Sequence, residues 1–276
     1  MPTPLPPIGP ITQIADVITT IQGIVDWSIA NASRLGYFAA LYKRITIAIR
    51  DGVANHVFDD GPRMERFDVT FANRYFAALN CYFHPAQFPP ISHCWRVAFD
   101  GALQPAPIII QHMLAGVNAH IDLDLGIAAE AVAPGKQIES LHHDFNLVNA
   151  VLASQVSKVV TEIDSLSPVL ADLYDLMMKY ELDLIADGLV ITRDGAWRFA
   201  KRLADEPKFL HHASIDLHDV AVAEIGKFIL DPPGLLAKIE ADIAARESRD
   251  IVKNIETLDV VANSPAPITK TAAAKV

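Results

Sequence analysis

Along most of the chain, apolar residues recur at intervals of three and four, the spacing that lines one side of an α-helix. Ile14, Val17, Ile18, Ile21, Ile24 and Val25 form the first stripe and predict a helix from Ile11 to about Asn31. A second stripe passes through Tyr37, Leu41, Ile45, Ala48 and Ile49 and predicts a helix from about Ser33 toward Phe58, weakened by Gly52. Asp59-Asp60-Gly61-Pro62 reads as a turn whose proline suits a first helical position. In the helix that follows, Asp68, Phe71, Ala72, Tyr75 and Leu79 share one face, while Arg63, Arg66, Asn73 and Arg74 fall on others. A short helix from Ser92 to Leu103 offers Trp95, Val97, Ala98 and Phe99 for burial.

Two proline breaks, Gln104-Pro105-Ala106-Pro107 and Pro134-Gly135, set off a central helix over Ile108 to Ala128. Its sequence, IIIQHMLAGVNAHIDLDLGIA, is apolar on most sides. Ile110, Leu114, Val117, Ile121 and Leu125 make its stripe, with His120 and Asp124 one turn apart on the flank. A buried imidazole and carboxylate are costly unless bonded to each other, to the protein or to a metal, so this position reads as a site or as a structural polar network.

Another helix begins near Lys136 and groups His142, His143, Asp144, Asn146 and Asn149 within about two turns. A short connection predicts that it lies antiparallel beside the central helix, where its polar groups would meet His120 and Asp124. Further helices are expected after Ser165-Leu166-Ser167-Pro168, containing Leu170, Leu173 and Tyr174 with the Met177 and Met178 pair as core filler, over Val190 to Leu203 around Trp197, over Leu217 to Leu230, and from Leu235 to about Leu258. His211, His212, Asp216, His218 and Asp219 read as surface or capping residues. With almost no strand-period alternation and no internal repeat, the expected fold is all-α: a single-domain multi-helix bundle with a buried polar pocket. Its parts are a proline-rich arm over 1–10, the helical domain over 11–262 and a disordered tail over 263–276.

The composition narrows the classes of function. The chain has 276 residues, 51% of them hydrophobic, ample for one sizeable core. A formal net charge of −10 and the lack of any Lys/Arg cluster disfavour nucleic acid and anionic lipid as partners. The stretch from Gly101 to Ile121 carries no formal charge, but its glutamines, histidines and prolines are too expensive for lipid. The uncharged, proline-broken start lacks the form of a secretory signal, which makes a cytoplasmic protein the expectation. Cys81 and Cys94 read as buried free thiols.

No phosphate-cradling glycine motif, nucleophile elbow or His-Glu-x-x-His occurs, nor do paired Glu-x-x-His motifs. What remains is imidazole plus carboxylate. In one version His120, Asp124 and His142 hold a divalent metal such as zinc, and an activated water hydrolyses a small, largely apolar substrate. In that version His120, Asp124, His143 and Asp144 carry the catalysis, with Asp68, Tyr75, Asn118 and Asn149 contacting substrate. In another, a carboxylate orients a histidine that moves a proton without metal, as an isomerase, cyclase or lyase. In a third, the pocket shelters an apolar small ligand without chemistry, or the polar groups fix helix register alone. The charged last helix leaves room for a homo-oligomer.

The His-x-x-x-Asp spacing resembles segments of the helical zinc-dependent phospholipase C and nuclease group, whose further metal ligands have no match here. A broader resemblance rests on FDDGPRMERFDVTFANRY, QHMLAGVNAHIDLDLGIA, HDFNLVNAVL and the Trp197 region. From about Leu35 to Pro233 the chain resembles an uncharacterised bacterial all-helical family of unknown function. That resemblance implies that Arg63, Arg66, Asp68, Asn73, Arg74, Asn118, His120, Asp124, Asp144 and Asn149 belong to recurrent motifs; Asp122 stands where the family pattern has Asn. It implies no activity.

Overall fold

The computed structural model describes residues 3–163 and 184–266, and every regular element among them is helical. In chain order they are α1 (Ile14–Ala30), α2 (Leu35–Ala54), α3 (Gly61–Phe83), α4 (His93–Gly101), α5 (Ile109–Val117), a π-helical segment (Asn118–Leu125), α6 (Gly126–Val132), α7 (Ile138–Ile163), α8 (Leu184–Asp205), α9 (His211–Leu230), α10 (Leu235–Ala244) and α11 (Ile251–Ala262). The helix expected after Ser165 and most of the expected tail lie outside the described residues. No described helix is long and apolar enough to cross a membrane.

The central rod is α5, the π segment and α6 running on without a break, enclosed by α2, α3, α4, α8 and α9. Enclosure on so many sides changes which residues are inside. Of the expected core stripe, Ile121 and Leu125 are buried but Ile110, Leu114 and Val117 are only half-buried, whereas Gln111, His112, Asn118, His120 and Asp124 are buried. Neighbouring helices reach the rod where it is narrowest. A β-carbon on Gly116 would sit 2.5 Å from the Phe38 ring of α2, and one on Gly126 would sit 2.9 Å from the Ala196 carbonyl of α8.

α2 is likewise wrapped, by α1, α3, α5, α7 and α11. Its Lys43 and Arg44 are buried: Lys43 pairs with Asp259 and Gln22, and Arg44 bonds Gln155 and the Val261 carbonyl. These contacts fasten α11 across the bundle. Where one charged helix over 235–258 was expected, the chain breaks between Ala244 and Ile251. Two acidic residues of that connection act as helix caps, Glu247 buried and Asp250 exposed. Glu247 accepts from the Ile109 amide at the start of α5 (2.9 Å), and Asp250 accepts from the Lys253 amide at the start of α11 (3.1 Å).

α7 departs most consequentially from expectation. It packs on α8, α2 and α11 and touches α6 only near their turn, so it does not flank the π segment. α8 takes that place, locked to α7 by Arg193, which donates to the Phe145 carbonyl (2.7 Å) and lies over the Phe145 ring. Asp219 of α9 performs the capping expected of its cluster, accepting from the His93 and Cys94 amides that open α4 (2.6 and 2.9 Å).

The proline-rich arm is held along α3 by two asparagines, two turns apart. Asn80 accepts from the Ile8 amide (2.9 Å) and donates to its carbonyl (2.8 Å); Asn73 makes the same pair with Ile11 (2.9 and 2.8 Å). Leu5 is buried against the bundle. Prolines supply no amide hydrogen, so the arm's few N–H groups depend on these partners. Replacing Asn80 by Ala should lower stability by about 1–2 kcal/mol in urea titration and make the arm measurably more sensitive to limited proteolysis.

Candidate functional site

The π segment, NAHIDLDL, carries both His120 and Asp124. A π turn holds an extra residue, is rare, and is concentrated at functional sites. Here it turns both side chains into the interior, where they are 2% and 1% exposed. Asp124 accepts three hydrogen bonds: from Arg74 Nε of α3 (2.6 Å), from Trp95 Nε1 of α4 (2.8 Å) and from His120 Nδ1 (3.3 Å). Burial alone would push this carboxyl up, but the Arg74 charge and the bonds from His120 and Arg74 outweigh it, holding the pKa below the ordinary carboxylate value.

An ionised Asp124 can only accept, so His120 carries its hydrogen on Nδ1 and leaves Nε2 with a lone pair. Burial lowers the imidazole pKa, Asp124 raises it and Arg74 lowers it; the net shift is below the usual histidine value. His120 is therefore neutral at pH 7. Its ring stacks on Phe71 (centroids 3.5 Å, planes 6° apart), meets Tyr42 edge-on at 4.6 Å, and has Trp95, Phe38 and Tyr75 at 5.8 to 6.0 Å.

Around this ring the polar atoms go unpaired. His120 Nε2, Asp68 Oδ2 and the hydroxyls of Tyr75 and Tyr42 are buried without a hydrogen-bond partner among the described residues. Burial, aided by Glu65, pushes Asp68 up to about 8, and burial, followed by the charge of Asp68, pushes the Tyr42 hydroxyl well above its ordinary value. At pH 7 Asp68, Tyr42 and Tyr75 are therefore neutral, and so is His120.

The structure brings together His120, Asp124, Asp68 and Tyr75 of the expected site and separates the others. His142 is exposed, stacked on Trp197 at 4.5 Å and bonded to Asn146. His143 is exposed beside Asp59. Asp144 is fully buried but accepts from the Asp59 and Asp60 amides (2.7 and 3.1 Å) and from Arg63 (3.1 Å), anchoring the turn into α3. Asn118 directs its amide to the Val222 carbonyl of α9 (3.0 Å). Asn149 lies in α7, and its side chain falls outside the described residues.

The expected metal set of His120, Asp124 and His142 is not assembled, because α8 occupies the position beside the π segment that α7 was expected to take. Among the described residues no group of three or more His, Cys, Asp or Glu side chains is placed to hold a metal ion. The donors already on Asp124 are N–H groups of Arg, Trp and His, which suit a carboxylate held as an anion by the protein itself.

Arg74, Trp95, Tyr42 and Phe71 were not among the expected site residues. For Phe71 and Tyr42 a signal was present in the sequence, since Phe67, Phe71, Tyr75 and Leu79 recur every four residues on α3 and Phe38 and Tyr42 have the same spacing on α2; Arg74 already stood among the motif positions that the resemblance implied.

Fold and site together define an all-α protein built around a buried, oriented His–Asp pair. Residues 14–232 match the family of unknown function DUF5995, and the chain belongs to that family. No curated protein and no solved structure matches it.

Two substitutions separate the pair from its surroundings. Asp68 stays protonated in the folded chain up to about pH 8, while the unfolded carboxyl ionises near 3.8. The stability this residue allows is fully present below the unfolded value and is lost as pH rises toward 8. Asp68→Asn should therefore gain stability relative to the parent progressively between pH 4 and 8 in denaturant titrations; a flat difference would contradict a buried acid. Asp144→Ala should cost about 3 kcal/mol while leaving the His120 titration, followed by NMR, unmoved.

Proposed function

We propose that the chain is an enzyme that moves a proton without a metal, on a small, largely apolar substrate carrying a carbonyl group. The supporting observation is the asymmetry of His120: one ring nitrogen is fixed by an anchored carboxylate, and the other is buried, basic and unpaired. Nε2 takes a proton from the carbon next to the carbonyl; the C–H electron pair forms a carbon–carbon double bond and the carbonyl π pair moves onto the oxygen. Asp124 stabilises the resulting imidazolium, and Arg74 and Trp95 keep Asp124 in place. The neutral acid of Asp68 and the phenols of Tyr42 and Tyr75 supply hydrogen bonds to the developing enolate, as neutral donors in an apolar site do. Return of the proton to a different carbon completes an isomerisation; loss of a leaving group instead makes the reaction an elimination.

The aromatic walls select an apolar, flat body. Phe71, half-buried and stacked on the imidazole, covers the site and must swing aside for a substrate to enter.

A generic probe of a positioned base is 5-nitrobenzisoxazole, which opens on removal of a single proton and reports by absorbance. The protein should accelerate this opening, and His120→Phe should remove the acceleration, by about a hundredfold or more. The rate should rise with pH and level off with a midpoint below 6.5, because only neutral His120 is a base. Phe71→Ala should raise the rate by easing entry. An unchanged rate in His120→Phe would defeat the proposal. A protein that is inactive yet purifies with an apolar compound, released by denaturation, would favour a binding protein instead.

A further inference from the structure

α9 is apolar on two opposite sides. Val222, Ala223, Gly226 and Leu230 are buried, where the helix packs on α4, α5 and the π segment. On the other side Leu210, Leu217, Val220, Ala221, Ile225 and Phe228 recur at helical spacing and stand in solvent. Leu217 is 66% exposed, Phe228 51%, and Phe209, just ahead of the helix, 81%. A surface helix turns a polar face outward, and one that is apolar all round belongs in an interior. Half of the cover that α9 calls for is absent from a single copy of the chain.

We propose that the outer face of α9 is the contact through which two copies of this chain form a two-fold dimer.

The first argument is area. The outer apolar residues of α9, with Phe209, leave roughly 600 Å2 open, at the upper end of what a lone protein exposes in one patch. Polar residues at the rim bring each side close to the about 800 Å2 that one partner gives to a standard interface. The exposure is also concentrated. Leu236 and Ile239 of α10 follow directly after the turn, and only Leu103 and Val260 of the exposed large apolar residues among those described lie outside 209–239.

The second argument is charge, and it selects the occupant. The chain carries a formal net charge of −10, so two copies repel one another in general. Around the outer face of α9, however, Lys208 and Lys227 balance Asp216 and Glu224, and Lys227 pairs with Glu224 at 2.6 Å. A two-fold contact sets the same patch on both sides, and a patch of mixed sign with no net charge can face itself, each lysine meeting a carboxylate across the axis. An anionic membrane would call for a basic rim, which this face lacks.

The third argument is relief. Ala213 and Ala221, both exposed, leave gaps between the bulky side chains of the stripe. Alternating large and small residues let the ridges of one helix enter the grooves of another. The homo-oligomer expected at the charged last helix is thereby assigned to α9, whose outer face is apolar where the run over 235–258 is charged.

The dimer does not rest on the proton-transfer reading, which concerns the interior; failure of either leaves the other standing. Sedimentation equilibrium of the full chain, up to a concentration of about 100 μM, should give twice the 30.1 kDa of one chain, dissociating on dilution. Leu217→Glu and Phe228→Glu should each weaken the association at least a hundredfold, because each change enters the interface twice and sets like charges near the axis. Val260→Glu, which removes an equally exposed apolar residue on α11, should leave it unchanged. The melting temperature of the parent should rise with protein concentration, and that of Leu217→Glu should not. Circular dichroism establishes that each variant is folded; if one glutamate variant is not, the other decides. A single-chain mass at about 100 μM overturns the proposal, as does a dimer that survives both glutamate changes. Single chains that float with phosphatidylcholine vesicles, and cease to do so in Leu217→Glu, would give the face to lipid and overturn it equally.

Discussion

A carboxylate placed inside a protein persists as an anion only where other groups take up its lone pairs and its charge. Asp124 meets that condition through donors from three separate places: Arg74 on α3, Trp95 on α4 and His120 one turn earlier on its own segment. Each donor needs its helix at a particular height and rotation, so the carboxylate ties the packing of α3 and α4 to the central rod. The same arrangement sets the tautomer of His120. Fold and chemistry therefore meet in one group, and the π turn is the local distortion that presents both members of the pair on the inward side.

Around that pair the molecule leaves polar atoms unsatisfied instead of completing a network. A chain selected only for stability would pair Asp68, Tyr75 and His120 Nε2 or replace them with apolar residues of similar size, since a lone buried polar group costs more than its apolar equivalent. Asp144 is the contrast within the same fold. It is just as deeply buried, yet its oxygens are taken by two amides and a guanidinium, and it behaves as a pin for the turn before α3. Two buried aspartates thus separate by what they touch, a distinction that burial alone does not make.

The periodicity of apolar residues was enough to read the all-helical class and most helix positions, because a 3.6-residue repeat is a local property. It failed where burial came from many sides. Lys43 and Arg44 look like the outer face of α2 until α11 is placed over them, and the inward polar side of the central rod looks like its flank. The charged run between α10 and α11 reads as continuous helix because nothing in it announces that Glu247 will cap α5, a partner more than a hundred residues away. His120, Asp124, Asp68 and Tyr75 were legible as a set because each lies at helical spacing from an apolar neighbour. Their grouping with His142, His143 and Asp144 depended on which helix lies beside which. A short loop suggests neighbours, but α8, distant in sequence, claimed that position.

Arg74 has a further consequence. About a third of its side chain stands in solvent, while the carboxylate it holds is almost fully enclosed. The interior pair is thus electrically connected to the outside through one side chain, and dissolved ions act on only one end of that connection. Ionic strength, or an anion settling on the surface beside α3, would loosen Arg74 before reaching anything deeper, and the basicity of the enclosed imidazole would change in step.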